Sequence, residues 1–202
     1  ARRNSCGSAW VPSSQSPAPA TRSSMHRLFV ALRPPEDIRD ALIDTMEGID
    51  GARWQFDEQL HLTLRFAGEV DARTADDLAN ALSQVSMEPF ALAIRGVGTF
   101  DKKGRVTSLW AGVAPCEPLA VLQRRVERAC QRAGLEPVTR KFVPHVTLAR
   151  TNASTGPIGA WLAENGRLAL PPWQVDAFHL YESRLEPGGA HYEPVLRFPL
   201  SR

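Results

Sequence analysis

The chain has 202 residues, 43% of them hydrophobic and 23% charged, which is enough to bury a core and falls within the ordinary globular range. No apolar run reaches the roughly 18 residues that a spanning helix needs, so the composition argues against a helical membrane protein. The net charge of +2 singles out no polyelectrolyte partner; the basic residues are nearly all arginine, with Lys102, Lys103 and Lys141 as the exceptions, a bias that suits phosphate but that arginine-rich codon usage would also produce.

Residues 1–24 are rich in Ser, Pro, Ala and Arg and lack apolar periodicity, so they are expected to form a disordered N-terminal extension, with residues 25–202 making a single bilobal domain. Cys6, Cys116 and Cys130 make no metal-binding spacing, and their odd number argues against a disulfide framework, which fits a reducing cytoplasm.

Residues 26–32 read as a strand. Pro34, Pro35 and Glu36 then open a helix whose Ile38, Ala41, Leu42, Thr45, Met46 and Ile49 recur at helical spacing. Trp54 and Phe56 lead into a strand over 60–66, closed by Gly68, and a second helix is expected from about 73 to 85. Phe90, Leu92 and Ile94 alternate with Ala91, Ala93 and Arg95, and Asp101-Lys102-Lys103-Gly104 turns the chain into a strand over 106–113. Leu119, Leu122, Val126, Cys130 and Ala133 mark an amphipathic helix ended by Gly134. A strand follows at 143–148, then a short helix near 158–163, and residues 173–181 and 192–200 read as a hairpin around Glu186-Pro187-Gly188-Gly189. Such turns join antiparallel neighbours. The expected fold is α+β and bilobal, with two antiparallel-rich sheets and flanking helices about a pseudo-twofold axis and a cleft between the lobes.

One phrase occurs twice. His61-Leu62-Thr63-Leu64 is followed, 145 − 61 = 84 residues on, by His145-Val146-Thr147-Leu148. On an alternating strand His and Thr leave the same face, about 7 Å apart. A single copy is ordinarily just a solvent-facing histidine, but strand patterning does not ask for histidine in two matching places. Two imidazoles flanking a phosphate could divide acid and base duties near neutral pH, while two hydroxyls donate to its non-bridging oxygens. Each strand supplies only one histidine, with no Cys, Asp or Glu alternating with it, which speaks against a metal site, and no Gly-x-Ser-x-Gly turn is present. No cofactor is expected.

The phrases Arg53-Trp54, Leu60-His61-Leu62-Thr63-Leu64-Arg65-Phe66-Ala67-Gly68-Glu69 and Pro144-His145-Val146-Thr147-Leu148-Ala149-Arg150, with Arg27-Leu28-Phe29-Val30-Ala31-Leu32, resemble the two-histidine phosphoesterase superfamily. Within it, the RNA 2',3'-cyclic phosphodiesterase branch, also labelled 2'-5' RNA ligase, is the most similar. Leu180-Tyr181-Glu182-Ser183 and Arg197-Phe198-Pro199-Leu200 add to the likeness, which runs from Met25 to the C-terminus. The resemblance implies metal-free opening of a terminal RNA 2',3'-cyclic phosphate to a 2'-phosphate, with His61 as proton donor, His145 as proton acceptor, and reverse 2'-5' ligation as a side activity. It implies that Thr63 and Thr147 hold the phosphate and that Arg150 touches it.

Strict alternation adds Arg65 to the same face, an ion pair at the strand end being the alternative, and turns Arg150 away unless the strand bulges. Phe100 and Phe142 are candidates for base stacking or for core. Arg124, Arg125, Arg128 and Arg132 form a helix stripe, along an RNA path or simply solvated. His26, His179 and His191 read as structural or surface residues. The expected partners are RNA ends or nucleotides carrying a 2',3'-cyclic phosphate, bound by a monomer without a membrane. A binding module without turnover, and an enzyme for small cyclic nucleotides, are the alternatives that these motifs leave open.

Overall fold

The structure, a computed structural model, describes residues 25–186 and 189–201, so the expected N-terminal extension, Cys6, and the turn residues Pro187 and Gly188 lie outside the described residues. In chain order the elements are β1 (His26–Leu32), α1 (Glu36–Ile43), β2 (Arg53–Trp54), a 3-10 turn (Asp57–Gln59), β3 (Leu62–Val70), α2 (Ala72–Ser83), β4 (Phe90–Leu92) and β5 (Ile94–Lys102). There follow β6 (Arg105–Val113), α3 (Glu117–Arg132), β7 (His145–Arg150), α4 (Gly159–Asn165), β8 (Trp173–Val175), β9 (Ala177–Glu186) and β10 (Gly189–Pro199). Among the described residues no helix is long and apolar enough to cross a membrane.

The α+β expectation holds: all strand pairs are antiparallel, in one large sheet of order β10-β9-β1-β3-β7-β6-β5, with β2 on β7, and a small sheet of β4 and β8. The large sheet is two halves joined at a narrow seam, where β3 and β7 meet through the pair Leu62–Val146. Outward from that seam β1-α1-β3-α2 matches β6-α3-β7-α4, the internal symmetry expected from the doubled motif.

One sheet face is covered by helices. Leu62, Leu64, Val146 and Leu148 pack there with Leu78 and Leu82 of α2 and Leu119, Leu122, Val126 and Cys130 of α3, all essentially without solvent exposure. The helices stay put because their apolar stripes lie on this face, and α2 is also capped, the Asp71 carboxylate accepting from the Thr74 N–H at 2.8 Å. The turn between β5 and β6 has positive φ at both Lys103 and Gly104, 55° and 75°, as a two-residue hairpin turn demands.

Two element boundaries differ from expectation. α1 ends at Ile43, short of Ile49, where the Thr45 hydroxyl donates to the Leu42 carbonyl and the chain then turns through Gly48 at φ 79°. β3 does not stop at Gly68; it continues to Val70, because a glycine at φ 80° absorbs a register shift against β1.

Candidate active site

The face of the sheet opposite the helices carries the doubled motif. Because Leu62 pairs antiparallel with Val146, the residue at the centre of each motif, each histidine lies across from the other motif's threonine and the two histidines are diagonal neighbours. Diagonal neighbours on a regular ladder are about 7–8 Å apart, a span one phosphate can bridge. His61, Thr63, His145 and Thr147 are all half-buried on this face.

Each ring makes a backbone hydrogen bond to the residue two positions upstream. His145 Nδ1 lies 2.7 Å from the carbonyl of Val143; a carbonyl only accepts, so Nδ1 carries the proton and Nε2 is left for a ligand. The carbonyl of Gln59, again two residues upstream, hydrogen-bonds the His61 ring. Gln59 is itself held, its side-chain amide donating to Ala190 O at 2.7 Å while its Oε1 accepts from the Phe56 N–H. The preceding turn is anchored by Asp57, which receives Arg33 at 2.8 Å and Arg39 at 2.6 Å. These guanidiniums, Arg39's hydrogen bond first, hold the Asp57 carboxyl below its usual range.

Aromatic rings wall in each histidine. Phe29 lies 4.8 Å from the His61 ring, with Tyr192 edge-on at 5.2 Å and Tyr181 at 6.2 Å. Phe100 stands edge-on to His145 at 4.8 Å, with Trp110 at 6.2 Å. Burial in this cup is the main reason that His61 is held down to about 4, the Gln59 carbonyl opposing and the charges of His145, Arg150 and Arg33 assisting. His145 is also lowered, by burial first and Arg150 next, with the Val143 carbonyl opposing. Both imidazoles are therefore neutral at pH 7 in the free protein, where the sequence alone suggested values near the ordinary 6.5.

Paired β-bulges decide the fate of the two candidate arginines. In β3 the partners of Val30 and Ala31 are Arg65 and Thr63, and in β7 the partners of Leu109 and Trp110 are Ala149 and Thr147, so Leu64 and Leu148 are each an extra residue. After the bulge, Arg65 and its counterpart Ala149 face the helices, while Phe66 and its counterpart Arg150 return to the open face, both exposed. Arg65 is thus not placed to meet a phosphate. Only 9% exposed, it pairs with Glu127 of α3 at 2.6 Å and donates to the carbonyls of Glu136 and Phe66. Arg150, by contrast, acts electrostatically on both histidines.

The remaining candidates separate cleanly. Phe100 belongs to the site; Phe142 packs on the helix-side core. The arginine stripe of α3 lies on the helix layer, where Arg124 pairs with Glu117, Arg125 donates to Ser86 O and Arg132 to Ala81 O. His26 pairs with Glu182 at 2.8 Å and His191 is exposed, but His179 shares the open face, 5.9 Å from Tyr181. Phe29, Tyr181, Tyr192, Trp110 and Arg33 were not singled out from sequence. The signal for Phe29 was there: 28–32 is an unbroken apolar run, the mark of a strand covered on both faces.

Trp110 can lie flat on this face because its cross-strand partner is glycine: a Cβ on Gly98 would sit 2.3 Å from the indole. Gly98→Ala is expected to displace that ring from beside His145 and to cost roughly 1–3 kcal/mol of stability, read by denaturant unfolding, together with a loss of turnover. An unchanged midpoint would mean that the indole is held by something else.

A family model described as the 2'-5' RNA ligase superfamily matches residues 34–186. The chain is 30% identical over 178 residues to an RNA 2',3'-cyclic phosphodiesterase of Geobacillus stearothermophilus, a match covering 85% of this chain and 56% of that protein. It is 27% identical over 175 residues to one of Archaeoglobus fulgidus, covering 85% and 99%. The crystal structure of Escherichia coli LigT complexed with 3'-AMP superposes with a TM-score of 0.71 at 26% identity, over 89% of this chain and all of that one. That of a Thermus thermophilus protein, TT0787, gives 0.72 at 26%, covering 86% and 97%.

Proposed function

Because the chain belongs to the 2'-5' RNA ligase superfamily, we propose that it opens terminal RNA 2',3'-cyclic phosphates, leaving a 2'-phosphate, with the two histidines as its acid and base. The observation that carries this reading is the Leu62–Val146 pair, which brings both His-x-Thr motifs to one face with both rings hung from the carbonyl two residues before.

His145 Nε2 takes a proton from water as its oxygen bonds to phosphorus; the bond from phosphorus to O3' breaks, and His61, protonated at Nε2, gives its proton to that oxygen. Thr63 and Thr147 donate to the non-bridging oxygens, where charge builds as phosphorus becomes five-coordinate, and Arg150 adds positive charge at the edge of the site. The ester to O2' survives, so the product is a 2'-phosphate, and proton exchange with solvent resets the pair. With a 5'-hydroxyl in place of water, the same steps form a 2'-5' linkage. His61 acquires its proton when the anionic phosphate arrives, since a nearby negative charge favours imidazolium.

Incubation of the protein, in chelator, with an oligonucleotide ending in a 2',3'-cyclic phosphate tests this directly. Appearance of a 2'-phosphate end supports it; unchanged substrate at long times refutes it. The pH profile follows from the same groups. kcat/KM needs one imidazole protonated and one neutral in the free protein, and both are lowered, so its optimum should fall below pH 6.5 and decline as pH rises. In Arg150→Gln both histidines lose a repelling charge, and the alkaline limb should move to higher pH. A limb that stays in place would remove Arg150 from the electrostatics of the pair.

A further inference from the structure

Beside the histidines, past Arg150 and Tyr192, opens a pocket of about 370 Å³, lined also by Arg53, Trp54, Phe56 and Gln59. It contains neither catalytic histidine, yet Tyr192 touches the His61 ring edge-on and Arg150 acts on both, so it adjoins the reacting centre. Its volume suits a small-molecule or nucleotide-sized group.

Arg53 and Arg150 are direct cross-strand partners in the β2–β7 pair. Their backbones are therefore about 5 Å apart, and like charges facing each other across a ladder are destabilising. Among the described residues neither guanidinium has a carboxylate partner, and both are exposed. Two exposed, unneutralised forks at the mouth of a pocket are arranged for an anion. Phe56, 64% exposed on the rim, offers a flat apolar face on which a base can stack.

Resting on the reading of the histidine site given above, we infer that Arg53 is a specificity residue: it holds the internucleotide phosphate preceding the terminal ribose, with Arg150 between that phosphate and the reacting one. A mononucleotide 2',3'-cyclic phosphate has no such group. The chain should therefore favour oligonucleotide ends.

The test compares a dinucleotide and a mononucleotide, each ending in a 2',3'-cyclic phosphate, as substrates for the wild type, Arg53→Gln and Arg53→Lys, and measures binding of the matching 2'-phosphates. The wild type should favour the dinucleotide in kcat/KM by about tenfold or more. Arg53→Gln should lose most of that preference, chiefly through KM, and Arg53→Lys should keep part of it. Equal losses on both substrates, or a wild type without preference, overturn the inference. Should the wild type turn over neither substrate, the hydrolytic reading fails, and the binding measurement still decides this one: tighter binding of the dinucleotide 2'-phosphate, weakened by Arg53→Gln, supports it, and equal affinities overturn it.

Discussion

Replacing either His61 or His145 with alanine should lower turnover of an RNA 2',3'-cyclic phosphate by roughly 10²–10⁴-fold, and replacing both should cost little more than replacing one. On the proposed mechanism the two rings act in one step from opposite sides of one phosphorus, so a site lacking its acid gains little from its base. Steady-state kinetics on the three variants would show it. Losses that multiply would mean that the histidines act in separate steps. Neither substitution should unfold the protein: each ring is held by aromatic neighbours and one backbone carbonyl, on the face away from the helix-side core.

The largest stability effect should come from Glu127→Ala, at about 3–5 kcal/mol. Arg65 and Glu127 are 9% and 14% exposed, and the carboxylate also accepts from the Val138 N–H and the Gln131 amide, so their pair ties β3 and α3 to the loop after the helix. Those hydrogen bonds and Arg65 hold Glu127 below its usual value even though burial, the largest single influence, pushes it up. Removing the carboxylate leaves a guanidinium buried without a counter-charge. Arg65→Lys should also destabilise, because one ammonium cannot reach Glu127 and two carbonyls together. Denaturant unfolding measures both. The complementary result concerns activity: folded Arg65→Lys should keep a kcat near that of the wild type, and a loss on the scale of the histidine variants would return Arg65 to the phosphate.

The contrast between Arg65 and Arg150 shows where sequence reasoning stops. Alternation places side chains correctly only while the ladder is regular. Thr63 and Thr147 come before the bulges and lie where alternation puts them; Arg65 and Arg150 come after, and both reverse. The duplicated Leu in His-x-Thr-Leu hinted that whatever happens in one strand happens in the other, but nothing local announces an extra residue, because a bulge is settled by the neighbouring strand. The depressed histidines follow the same logic. A free imidazole titrates near 6.5 whatever its sequence neighbours, and it was Phe29, Tyr181 and Tyr192, drawn from three distant strands, that stripped water from His61.

What the chain alone determined was its local pattern: apolar periodicities and turn residues specify strands, helices and hairpins, and the repeated His-x-Thr supplies two imidazoles and two hydroxyls on alternating strands, because these depend on residue type and short-range spacing. Only the tertiary structure decided that the two motifs meet at Leu62 and Val146, that Arg65 serves the core while Arg150 serves the cleft, and that Arg53 faces Arg150 across the ladder beside it. Those facts rest on contacts between residues far apart in the chain, and their cost and reward are set by burial, which no single segment carries by itself.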